Sequence, residues 1–210
     1  MMQVKEGIHR LTQGVVNFYL IEEGGKLLLV DAGAPGDWDL LVRAVTDLGR
    51  RLDDLEAVLL THAHADHIGT AERARTTAGA RVWVHQADAG MATGATAPKN
   101  DGKASSYLLR AEFYRTLFSL ARRGATKIVP VREVATFADG ETLDLPGRPR
   151  AVHAPGHTAG SAALPGVCPG AWTALGRPGS GSVSPWANVD TSRMGISLVA
   201  PRCASDNRVR

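Results

Sequence analysis

A layered α/β sandwich is the fold class this sequence predicts, and three observations carry it. The opening 30 residues read as a meander of strands, residues 31–85 alternate helical and strand patterns, and strand patterns return after residue 124. Such an order calls for helices packed on stacked sheets.

The elements follow in turn. Residues 4–11, 15–22 and 26–31 are rich in β-branched and aliphatic side chains, and Gly24-Gly25 is a two-residue hairpin turn. Leu27-Leu28-Leu29-Val30 is a continuous apolar run, which suits a strand buried on both faces. Trp38, Leu41, Val42, Val45 and Leu48 recur at helical spacing, with Asp37 as N-cap and Gly49 as stop. Next come a short buried strand at 57–61, a His-rich turn, a small-residue helix ending near Gly79 and a strand at 81–85. Residues 91–104 form a polar loop. The segment 105–123 is helical, with Leu108, Ala111, Tyr114, Leu117, Phe118 and Ala121 on its apolar face and Gly124 at its end. Strand-like stretches close the pattern at 127–131, 134–137, 142–145 and 150–154, with Asp139-Gly140 as a turn. Trp83 and the Tyr107/Tyr114 pair read as core.

Composition narrows the class. Of 210 residues, 44% are apolar and 21% charged, a globular balance sufficient for one domain. No apolar run approaches the ~20 residues of a membrane span, and the N-terminal residues lack the apolar segment of a secretory signal. Cys168 and Cys203 form neither a disulfide framework nor a CxxC knuckle. The expectation is a cytoplasmic protein with no membrane partner. The net charge of +3 resides entirely in residues 165–210, which hold five Arg and two Asp. Residues 1–164 hold 19 basic and 19 acidic side chains, so no basic stripe for nucleic acid is expected on the folded domain. The same boundary marks a change of texture: 17 of the last 46 residues are Gly, Pro or Ser, with no Lys or Glu. Residues 1–164 therefore read as one domain and 165–210 as an atypical segment.

The chemistry is concentrated in Thr61-His62-Ala63-His64-Ala65-Asp66-His67, directly after a buried strand. Four candidate ligands occupy six positions. In extended chain His62 and His64 project to one side, since side chains alternate. Asp66 and His67, at the turn into a helix, diverge toward a second position. Such N/O ligands favour zinc, with iron or manganese as alternatives. A solvated turn with Asp66 as a helix cap is the bland reading, and the density of histidine argues against it. His157, on the Pro155-Gly156 turn, supplies a third imidazole. Thr158 and Ser161 are equally well explained as hydrogen-bonding partners of nearby backbone. Asp31, ending the apolar strand, is either a turn residue or a carboxylate that orients a metal-bound histidine. His9, His85 and His153 fall in or at strands with nothing beside them to complete a ligand set, and read as ordinary packing or solvated positions.

The segments LLLVDAG, THAHADHIG and APGHTAGS, in this order, resemble the metallo-β-lactamase superfamily of dinuclear zinc hydrolases over residues 1 to about 164. The resemblance implies an αββα four-layer sandwich with its site at one edge between two sheets. It implies His62, His64 and His157 on a first metal, Asp66 and His67 on a second, and Asp31 as the supporting carboxylate. Asp66 would also hold the nucleophile, as the catalytic residue. The implied cofactor is zinc, one or two ions. The implied reaction is attack of a metal-bound hydroxide on the carbonyl of a small molecule: a thioester, as in glyoxalase II-like hydrolysis, a lactone, or a related ester or amide. Neither substrate-binding residues nor an oligomeric state is assigned.

The sequence also departs from that pattern. The family continues to an Asp that bridges both metals and then to a final His, whereas here no acidic residue lies between Asp144 and Asp190 and no histidine follows His157. The sandwich is accordingly expected to be incomplete in its C-terminal half, with 165–210 an aberrant replacement. The competing expectation is a degenerate or truncated non-catalytic member that binds one metal or none.

Overall fold

The computed structural model describes residues 1–14, 16–97 and 111–165, the side chains of 111–113 excepted. Strands β1 (Met2–Lys5), β2 (Ile8–Gln13), β3 (Val16–Glu23), β4 (Lys26–Val30), β5 (Leu55–Leu59), β6 (Arg81–His85) and β7 (Ala135–Phe137) lie side by side in chain order in one seven-stranded sheet. The first four pair antiparallel, and β4 through β7 pair parallel. A second sheet pairs β8 (Val152–His153) with β9 (Ala162–Ala163). The described α-helices are α1 (Trp38–Asp47), α2 (Ala71–Ala78), the single turn α3 (Ala89–Ala92) and α4 (Ala111–Arg122), with short 3-10 turns at Pro35–Asp37, Leu52–Asp54 and Gln86–Asp88.

Alternation along the strands builds two cores. Phe18, Leu20, Leu27, Leu29, Val58, Val82 and Val84 face one side, where Trp38, Leu41, Ala44 and Val45 of α1, Ala71 and Ala74 of α2, and Met91 of α3 cover them. Tyr19, Ile21, Leu28, Val30, Ala57 and Leu59 face the other, packed under Leu143, Leu145, Ala151, Ala162 and Leu164. Leu27 through Val30 are fully buried on both faces, as their unbroken apolar run demands. The fold is thus the α/β type expected. Among the described residues it comprises a helix layer, the large sheet and the short second sheet. No described helix is long and apolar enough to cross a membrane.

Several sequence expectations need correction. The run 4–11 is two strands, because the turn at Glu6-Gly7 folds β1 back onto β2. Residues 127–131 form no strand: Pro130 cannot donate to a ladder, and the Val131 N–H bonds instead to the Ala92 carbonyl at 2.9 Å. At 142–145 only the bridge of Thr142 to Arg150 forms, across the turn set by Pro146 and Pro149. Asp37 precedes α1 but does not cap it. Its carboxylate accepts from the Ala34 N–H at 2.8 Å and from Arg123 Nη1 at 3.0 Å. In α4, Tyr114, Leu117 and Phe118 are 54%, 50% and 63% exposed, and Thr116 is buried instead. Arg123 clasps Asp37, and its carbonyl accepts from the Gly36 N–H at 2.9 Å, which ties the end of the helix to the 34–37 turn. Trp83 is half-buried against the second core. Tyr107, Leu108 and the segment 98–110 lie outside the described residues, as does 166–210.

Candidate metal centre

Three parallel neighbours, β4, β5 and β6, end at the same edge of the sheet. Loops at the carboxyl ends of parallel strands are where α/β proteins place ligands, because the chain leaves the sheet there with unpaired polar groups. Asp31 follows β4, Thr61 through His67 follow β5, and Asp88 follows β6. The Asp31 N–H still pairs with the Leu59 carbonyl at 3.0 Å, which fixes Asp31 beside Thr61. The histidine turn closes on itself, with the His67 and Ile68 N–H groups on the His64 carbonyl at 2.9 and 3.0 Å. Gly69 lets this turn press on the 31–35 loop: a Cβ there would come within 2.3 Å of the Ala34 carbonyl carbon.

His62, His64 and His157 converge, with ligand nitrogens all within 4.8 Å of one another. His64 Nδ1 and His157 Nε2 are 2.9 Å apart, and the His62 ring centroid lies 4.8 Å from that of His64 and 4.6 Å from that of His157. Burial removes solvent from these rings. It pushes His62 well below the ordinary imidazole value, helped by His67, His64 and His157. Burial, with His64 and His67, takes His157 down to about 4, against a smaller opposing pull from Asp66. Both are neutral imidazoles at pH 7, the form that ligates.

The proton on His62 can be located from its neighbours. Thr61 Oγ1 lies 2.8 Å from Asp31 Oδ2 and 3.1 Å from His62 Nδ1. A carboxylate only accepts, so the single hydroxyl proton goes to Asp31, and Thr61 Oγ1 accepts from His62 Nδ1–H. The bare lone pair of His62 is therefore on Nε2, a buried atom with no hydrogen-bond partner among the described residues. A buried acceptor left in that state costs about 1–3 kcal/mol unless something occupies it. A divalent cation satisfies that requirement, and three imidazole nitrogens are a donor set suited to zinc.

Asp31 and His67 form a second unit. Asp31, 2% exposed and held at φ 58°, accepts from the Thr61 N–H at 2.8 Å and pairs with His67 Nδ1 at 2.9 Å. Burial alone would lower His67, but the Asp31 and Asp66 carboxylates outweigh it and hold it at about 9. Asp66 Oδ2 lies 3.6 Å from His67 Nε2. Asp66 and His67 thus sit together beside His62, whose ring centroid is 4.0 Å from that of His67. Neither belongs to the converging triad, and among the described residues no further group of three candidate ligands assembles around them.

Two contributors carried no assignment in the sequence. Thr61 couples Asp31 to His62, and Asp88, 1% exposed, reaches both the histidine turn and the His157 loop. Applying to β6 the strand-end logic that marks Asp31 would have found the latter. His85 and His153 stack on one another, centroids 4.1 Å apart and nearly parallel, and are not members of the triad.

The metallo-β-lactamase superfamily model matches residues 11–170. The chain is 31% identical over 147 residues to the uncharacterized protein YobT of Bacillus subtilis, a match spanning 70% of this chain and 54% of that one. It is 30% identical over 95 residues to the probable metallo-hydrolase YflN of the same organism, spanning 44% and 36%. The chain thus matches about half or less of the length of these relatives. The structure of the metallo-β-lactamase SMB-1 in complex with mercaptoacetic acid superposes with a TM-score of 0.61 at 21% identity, over 77% of this chain and 55% of that one, a likeness of fold.

Proposed function

The chain belongs to the metallo-β-lactamase superfamily, and on that premise we propose that it carries a metal-dependent hydrolase site acting on the carbonyl of a small molecule, a thioester or lactone. One observation carries the reading. Three imidazoles from two separated segments meet with one ring nitrogen of each within 4.8 Å of the others, and His62 Nε2 is buried with no hydrogen-bond partner among the described residues. His62, His64 and His157 would hold the first ion, zinc by preference, with iron or manganese as alternatives. Bound there, such an ion supplies Lewis acidity, lowering the pKa of water and polarising a carbonyl oxygen.

The chain's own residues do the rest. Thr61 and Asp31 keep His62 in the tautomer that presents Nε2. Asp66, partly exposed beside His67, would accept a proton from water and orient it. His67, charged through Asp31, would have to release its proton to serve a second ion. A small substrate is favoured over nucleic acid by the balanced charge of residues 1–164.

A second reading is favoured by one specific feature: Asp66 and His67 find no third ligand among the described residues. On it, the chain holds one ion and does not turn over substrate. Hydrolysis of a generic thioester separates the two. The hydrolase reading expects zinc-dependent turnover that His62→Ala abolishes, and stoichiometric zinc with no turnover of thioesters or lactones leaves the non-catalytic reading.

A further inference from the structure

We infer that Asp88 is a positioning residue whose carboxylate clamps the histidine turn to the His157 loop and so sets the spacing of imidazoles drawn from two separate segments. The inference rests on reading the triad as a metal site.

Asp88 stands immediately before α3, where an aspartate would ordinarily cap the helix, yet its side chain makes no cap bond. Its carboxylate turns to the site instead. Oδ2 accepts from the Ala63 N–H at 3.2 Å and from Thr158 Oγ1 at 2.7 Å, and Oδ1 accepts from the Gly160 N–H at 2.7 Å. Ala63 lies between His62 and His64, while Thr158 and Gly160 flank His157 on its C-terminal side. One buried group therefore touches both ligand-bearing segments within three residues of every triad imidazole.

The contacts around it form a directed set. Thr158 spends its hydroxyl proton on Asp88, so it accepts from Ser161 Oγ at 2.9 Å, and Ser161 Oγ accepts from the Thr158 N–H at 2.9 Å. The approach is also sterically reserved. A Cβ on Gly160 would come within 2.6 Å of Asp88 Cγ and 2.7 Å of its Cβ and N, so no larger residue fits without moving the loop. A backbone tie between the segments, the Ala162 N–H on the Thr61 carbonyl at 2.9 Å, lies on β9, beyond the loop, and His64 Nδ1 meets His157 Nε2 at 2.9 Å within it. An amide cannot replace the carboxylate. In either orientation of Asn at 88, its NH2 would face the Gly160 or the Ala63 N–H.

The test compares zinc affinity, the ligand-field spectrum of the cobalt-loaded protein and the metal-free melting temperature for wild type, Asp88→Asn, Thr158→Val and His157→Ala. Asp88→Asn is expected to bind zinc about 10- to 100-fold more weakly, with a cobalt spectrum shifted toward that of His157→Ala. Thr158→Val is expected to show a smaller loss in the same direction, and it decides the matter if Asp88→Asn does not fold. Variants that melt earlier but keep native zinc affinity and the native cobalt spectrum would overturn the clamp and leave Asp88 a stability residue. A wild-type chain that binds neither zinc nor cobalt would overturn the metal reading, and the clamp with it.

Discussion

Asp31 Oδ2 and His67 Nδ1 are 2.9 Å apart, both buried, at the junction of two parallel strands. This pair ties the loop after β4 to the histidine turn after β5. The carboxylate also accepts from the Thr61 N–H and hydroxyl, so a single side chain orders most of one flank of the site.

Removing that carboxylate strands buried donors. Asp31→Ala should lower stability by about 3–5 kcal/mol, the usual result of breaking a buried ion pair from one side. Asp31→Asn keeps the shape and removes the charge, so the His67 pKa should fall by about 1–3 pH units from its value near 9. Histidine NMR titration of the metal-free protein reads this directly, and an unmoved His67 would show that the pairing does not set its charge.

Stability of the metal-free protein should peak between about pH 6 and 7. His157 has a folded value of about 4 against an ordinary 6.5, so between these pH values the unfolded chain binds more protons and stability is lost as pH falls. His62 acts in the same direction. His67 behaves oppositely. Its raised value stabilises the fold below 6.5, and that contribution is lost as pH rises through about 9. Melting temperatures across pH 4–9 after chelation should show both limbs, and Asp31→Asn should flatten the alkaline one.

The sequence made parts of this architecture readable for local reasons. Period-two alternation and the unbroken run Leu27 to Val30 identify the central strands, and the density of imidazoles in 61–67 marks the turn where His62 and His64 meet. His157 was readable as a partner because a Pro-Gly turn after a strand places it on a loop. What escaped depends on long-range contacts. Arg123 and Asp37, 86 residues apart, pair at the end of α4, whose Tyr114, Leu117 and Phe118 stay exposed against the reading of its apolar periodicity. The role of Asp88 carried no assignment, since only the fold brings Thr158 and Gly160 to its carboxylate. No histidine follows His157 and the first acidic residue after Asp144 is Asp190, so no local pattern assigns further ligands beside Asp66 and His67.

Metal content per chain, measured by plasma mass spectrometry on gently purified protein and on its His62→Ala and His157→Ala variants, tests the triad most directly. If His62, His64 and His157 form a metal site, the native chain carries at least one zinc, iron or manganese ion, and each variant loses it. A native chain purified without metal, and unable to take up zinc on dialysis, would contradict that claim.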